Sequence, residues 1–165
     1  MYSEILRRSL IVTVVLLASI LPREATAQSA AQTLTFAINA INQIGFTGAP
    51  SLTISTAAAG AAPTSVTNAT ATWAVTTNQS GAKITASIPT AMPAGLTLSV
   101  NLTAPAGATS AGYKGLGIVS IDAVTGVTKV AQGALGVLYK LDATPAAGVI
   151  GSATRVVTYT ITGGT

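Results

Sequence analysis

Leu96-Thr97-Leu98-Ser99-Val100-Asn101-Leu102-Thr103-Ala104 alternates apolar and polar residues without a break. A period of two puts Leu96, Leu98, Val100 and Leu102 on one face and Thr97, Ser99, Asn101 and Thr103 on the other, the pattern of a half-buried β-strand. Thr is β-branched and stiff, so it suits the outward face. The alternation recurs upstream. The segment from Thr33 to Ile41 sets Leu34, Phe36 and Ile38 against Thr33, Thr35 and Asn39; residues 51–56 offer Leu52 and Ile54; residues 71–77 and 82–88 offer Trp73, Val75, Ile84 and Ile88. Asn78-Gln79-Ser80-Gly81 between the last two predicts a hairpin loop.

Downstream, residues 117–121 and 127–131 bracket Asp122–Gly126 as a second hairpin, and Gln132-Gly133 predicts a further turn. Residues 134–144 place Leu135, Val137, Tyr139 and Leu141 on one face with Lys140 and Asp142 outward, and residues 154–162 do the same with Val157, Tyr159 and Ile161. Helical periodicity is sustained nowhere, and parallel strands would demand crossover helices. Eight or nine short strands with turn residues between them predict an all-β, antiparallel two-sheet sandwich of immunoglobulin-like, Greek-key type.

The first 27 residues stand apart. Arg7 and Arg8 precede a run without charge from Leu10 to Leu21, Pro22 breaks it, and Ala25-Thr26-Ala27 forms a small-x-small cleavage site before Gln28. These are the parts of a secretory signal peptide, and the apolar run is short of the roughly 20 residues that a spanning helix needs. The expected organisation is a leader over residues 1–27, with a signal helix, and one sandwich domain over residues 28–165. The mature chain is expected to be exported, to the extracellular space, cell surface or periplasm, without a membrane span of its own.

Composition then removes whole classes of function. After position 27 there is no His, Cys or Glu, and the charges are Lys83, Lys114, Lys129, Lys140, Arg155, Asp122 and Asp142. Most metal ligands and general acids and bases come from the missing types, so neither an enzyme nor a cofactor site is expected. The sequence pI of 9.8 reflects scarcity of acids; the few cations are spread along the chain and give no nucleic-acid signature. Ala, Thr and Gly make about half of the mature chain. With mean hydropathy of +0.61 and 7% charged residues over all 165 positions, the chain does not have a disordered composition.

A few side chains could still carry chemistry. Asp122 reads as a turn residue, and with Asp142 it could contribute to a calcium site only with several other oxygens. A hydroxyl nucleophile would have to rely on a lysine as base. Lys83 and Asn101 are the types that form intramolecular isopeptide cross-links, a reaction that needs a buried acid beside them. Asn68-Ala69-Thr70, Asn78-Gln79-Ser80 and Asn101-Leu102-Thr103 fit the N-glycosylation pattern. Trp73 reads as core, whereas Tyr113, in a Gly-rich loop, is a candidate exposed contact for stacking on a sugar or partner.

An exported sandwich with so few charges has poorly protected sheet edges, because its outward faces are Thr, Ser, Ala and Asn rather than Lys and Glu. Strands of that kind suit pairing between copies by strand addition. The segment from Thr33 to Ile41, with Leu34, Phe36 and Ile38 in register, is the candidate donor. Pro145-Ala146-Ala147-Gly148 followed by Arg155-Val156-Val157-Thr158-Tyr159-Thr160-Ile161-Thr162 resembles the closing hairpin of bacterial pilin-type and spore-coat-U-like secreted domains. That resemblance implies an immunoglobulin-like sandwich that assembles into fimbriae or coats, often by donor-strand complementation. It covers about twenty residues, the chain has no cysteine pair, and Gly163-Gly164-Thr165 lacks an aromatic at the terminus. No functional residue carries over. The expected function is a structural subunit of an extracellular fibre, fimbria or surface coat, with copies of itself or related subunits as partners. The alternative is a monomeric secreted or periplasmic module that binds carbohydrate or protein through the loops from Pro89 to Gly95 and from Pro105 to Gly115.

Overall fold

A computed structural model describes residues 26–165 of the chain. The expected leader, with its signal helix, lies outside the described residues except for Thr26 and Ala27. Residues 26–37 form a unit separate from Ile38–Thr165 and contain no helix or strand. The compact unit therefore begins ten residues later than the predicted domain.

Ile38–Thr165 is a β-sandwich of two antiparallel sheets. Its strands are β1 (Asn42–Thr47), β2 (Val66–Thr77), β3 (Ala82–Ser87), β4 (Leu96–Leu102), β5 (Thr109–Ser110), β6 (Lys114–Gly115), β7 (Ile121–Val127), β8 (Val130–Ala143) and β9 (Thr158–Thr162). The five-stranded sheet runs β1-β2-β8-β4-β6 and the four-stranded sheet β5-β7-β3-β9.

The alternating residues build the core as their period demands. β4 pairs with β8 so that Leu98 faces Leu141, Val100 faces Tyr139 and Leu102 faces Val137, while Trp73 on β2 lies opposite Leu135. Ala82, Ile84 and Ala86 of β3 and Ala123, Val124 and Val127 of β7 complete the buried cluster from the other sheet. The alanines leave room for larger side chains on the facing sheet, since interiors pack at crystal-like density. Each buried Val, Leu or Ile contributes about 1.5–3 kcal/mol relative to exposure. The indole of Trp73 also donates to the Thr103 carbonyl at 3.1 Å, which keeps its buried N–H satisfied.

From β2 onward, every pair of consecutive strands lies in opposite sheets. This overturns the predicted hairpins. Residues 78–81 carry the chain from β2 across to β3. Residues 121–127 form one strand, so Asp122 lies within β7 rather than in a turn, and the reversal falls at Thr128 and Lys129, where Lys129 has φ of 43°. The predicted turn at Gln132-Gly133 is a bulge inside the long β8: Trp73 and Val75 pair with Leu135 and Gln132, and Ala134 takes φ of 56°. Pro145–Ala147 is a single 3-10 turn that leads across to the other sheet instead of back along β8. Turn chemistry reports that the chain reverses. It does not report whether the next strand pairs with the last or crosses the roughly 10 Å to the facing sheet.

Two predicted strands are absent among the described residues. Residues 51–56 are irregular, with one isolated bridge nearby, between Ala57 and Pro63. The segment from Thr33 to Ile41 forms no strand; the first strand is Asn42–Thr47, which carries fewer apolar residues but has a partner in β2. Pairing, more than alternation, decides which stretch is a strand.

Candidate functional site

The two sides of the sandwich are closed differently. On one side a single segment seals the gap: β5 adds to β7, and four residues further on β6 adds to β4. The Leu116 N–H bonds to the Leu98 carbonyl at 2.8 Å and the Ala111 N–H to the Ala123 carbonyl at 2.9 Å. Tyr113 lies where this segment crosses between the sheets and is 43% exposed.

On the other side, β1 ends one sheet and β9 ends the other. They approach through aromatic side chains. Phe46 of β1 stacks on Tyr159 of β9 with ring centroids 3.9 Å apart, and on Trp73 at 5.8 Å. The Tyr159 hydroxyl meets that of Tyr139 on β8 at 2.8 Å. Burial pushes both phenols above the ordinary tyrosine range, because the ionised form loses its hydration. The inward row of this edge is only half covered: Ile44 and Phe46 on β1, and Val157, Tyr159 and Ile161 at β9, pack against the core without being buried. Beyond β9 no further strand pairs with it among the described residues.

The end of the sandwich where β2, β7 and β9 finish holds both ends of the domain. Asn78 accepts the Ile41 N–H at 2.8 Å through Oδ1 and donates through Nδ2 to the Asn39 carbonyl at 2.8 Å, continuing the β1–β2 ladder with a side chain. Thr77 donates to Asn42 at 2.6 Å. Ser80 and Thr165 exchange backbone hydrogen bonds at 2.9 and 3.1 Å. A shallow depression of about 340 Å³ between Ile41, Asn78 and Lys129–Ala131 contains no acid or nucleophile cluster.

The predicted donor, Thr33 to Ile41, runs into this anchor, which holds its Asn39 and Ile41. Leu34, Phe36 and Ile38 are 81%, 85% and 81% exposed. The structure does not bring them onto any described strand.

The remaining candidates are dispersed. Lys83 pairs with Asp122 across β3 and β7 at 3.0 Å, while Asn101 lies in the other sheet and receives a hydrogen bond from Ser110 at 3.0 Å, so the two isopeptide candidates do not meet. Asp142 pairs with Lys140 at 2.9 Å and accepts from Ser65. The Ser65 hydrogen bond first, and Lys140 second, hold its carboxyl below the usual carboxylate range. Asp122 and Asp142 thus sit on different sheets, each with its own lysine. Among the described residues no group of three or more potential metal ligands gathers. The sequon asparagines all have engaged amides: Asn68 holds the Ser51 carbonyl and the Thr70 N–H, and Asn78 and Asn101 are bonded as above. The loops at residues 89–95 and 105–115 lie on either side of β4 in the chain. Among the described residues, no helix is long and apolar enough to cross a membrane.

The anchoring role of Asn78 and the outer position of β9 are not readable from local sequence. Asn78 was legible only as a loop or sequon residue, and nothing local marks a strand as terminal in its sheet. No family model, curated protein or solved structure matches the chain.

Proposed function

We propose that this protein is an exported structural subunit of an extracellular fibre, fimbria or surface coat that assembles by β-strand addition, with the segment from Thr33 to Ile41 as donor. The observation that carries this is the exposure of Leu34, Phe36 and Ile38 in a segment that belongs to no strand. Three apolar side chains at a spacing of two, left in water, forfeit roughly 5–8 kcal/mol of burial that a partner sheet would supply. Scarcity of charge and the missing His, Cys and Glu of the mature chain support a structural over a catalytic role.

The test compares the exported protein with a Leu34→Ser, Phe36→Ser, Ile38→Ser variant on unboiled and boiled gels and by negative-stain microscopy. The wild type should give a heat-sensitive ladder and filaments, and the variant a folded monomer. A wild type that stays monomeric at high concentration refutes the proposal. The exposed Tyr113 favours the alternative reading, a monomeric secreted or periplasmic module that binds carbohydrate or protein, checked by glycan-array binding of wild type against Tyr113→Ala; a blank array removes it.

A further inference from the structure

We infer that the free edge of β9, Thr158–Thr162 with Val157 ahead of it, is the acceptor that takes the segment from Thr33 to Ile41 of a second copy of this chain. This rests on the strand-addition function proposed above and names its receiving surface. Among the described residues the sheets have four outer strands, β1, β6, β5 and β9. β5 and β6 are two residues long, too short to template a strand, and the segment that carries them already seals their side. β1 has Gly45 at its centre, with no side chain there to pack on an added strand, and its lead-in is tied to Asn78. β9 differs from all three. Val156-Val157-Thr158-Tyr159-Thr160-Ile161-Thr162 has no charge, Gly or Pro, so it carries none of the devices that protect an edge. Every residue in it is β-branched or aromatic.

Its inward side chains are incompletely covered. Val157, Tyr159 and Ile161 face the core but remain partly accessible, whereas Ile84 and Ala86 on the neighbouring β3 are fully buried. One more strand beyond β9 would bury them. The occupant is a second copy because the matching segment is present in the chain and exposed in the single molecule. Residues 33–41 likewise have no charge, Gly or Pro. They offer three apolar side chains at a spacing of two to a row of three at the same spacing.

The absence of Cys makes the test unambiguous. Thr35→Cys protein is mixed with copies carrying Thr158→Cys, Thr160→Cys or Thr162→Cys, and with a β1-edge control, Gln43→Cys, under mild oxidation. All these side chains are exposed, so the core is untouched. A disulfide needs Cα atoms within about 7 Å, so at least one β9 position should give about tenfold more cross-linked heterodimer than Gln43. In parallel, Thr160→Lys should abolish the ladder while leaving monomer melting unchanged. Cross-links that favour Gln43 in protein that still forms filaments overturn the acceptor and leave strand addition standing. A Thr35→Cys, Thr160→Cys double variant that closes on itself as a monomer overturns the second copy as occupant. Absence of any assembly in the wild type overturns both proposals together.

Discussion

The hydroxyl pair of Tyr139 and Tyr159 offers a sharp energetic test of how the β1/β9 side is built. The two oxygens lie 2.8 Å apart, Tyr139 is 9% exposed, and the Tyr159 ring is held by its stack on Phe46. Replacing either residue by Phe keeps ring, stack and packing, and removes one partner of one hydrogen bond. The bond itself is worth about 1 kcal/mol net, and a buried hydroxyl left without a partner costs a further 1 kcal/mol or so. Either single replacement strands the other residue's hydroxyl and should therefore destabilise by about 1–2 kcal/mol. With both replaced no orphan remains, and the loss should be about 1 kcal/mol, some 2 kcal/mol less than the sum of the singles. Urea unfolding of the four proteins at neutral pH, under conditions that keep them monomeric, measures this directly. Additive single effects would show that the hydroxyls do not interact and that the sheets do not meet here as described.

Alkaline stability follows from the same pair. Both phenols are raised in the folded protein, so the unfolded chain releases their protons first; their contribution is fully present below about pH 10 and is lost as pH rises above it. The doubly Phe-substituted protein should lose less stability between pH 9 and pH 12, by urea titration. Asn78→Ala removes two exposed hydrogen bonds to the domain's lead-in. It should cost about 1 kcal/mol and speed hydrogen exchange at the Ile41 amide, with core amides unaffected. Gly95 has φ of +81°, and a Cβ there would meet the Ala147 nitrogen at 2.5 Å and its Cα at 2.9 Å. Gly95→Ala should therefore lose more than about 2 kcal/mol in thermal or urea unfolding. Asp142, lowered by Ser65 and Lys140, contributes stability above about pH 4 that is lost as pH falls further. Because the pair is solvent-accessible, Asp142→Asn should change stability by less than about 1 kcal/mol at pH 7 and flatten the acid limb.

The legible part of the fold was the facing of side chains. Trp73, Val75, Ile84, Ile88, Leu98, Val100, Leu102, Leu135, Val137 and Tyr139 are buried where alternation placed them, because a period of two allows each strand only two faces. Connectivity was not legible. Gly81, with φ of +76°, suits a hairpin or an arch equally well, and the difference lies in which strands are available to pair. Leu34, Phe36 and Ile38 were readable as an amphipathic strand, yet no described strand pairs with them, whereas Ile44 and Phe46, two apolar residues around Gly45, found β2.

Composition and local pattern by themselves determined the class of fold, the face each strand buries and the lack of catalytic residue types, since these depend on near neighbours in the chain. Only the tertiary structure decided that β9 is an outermost strand, that Asn78 roots the segment before β1, and that one side of the sandwich is sealed while the other is half open. Those properties arise from pairing between residues 14 to about 80 positions apart. Such contacts depend on the whole set of competing partners, which no local stretch of sequence contains.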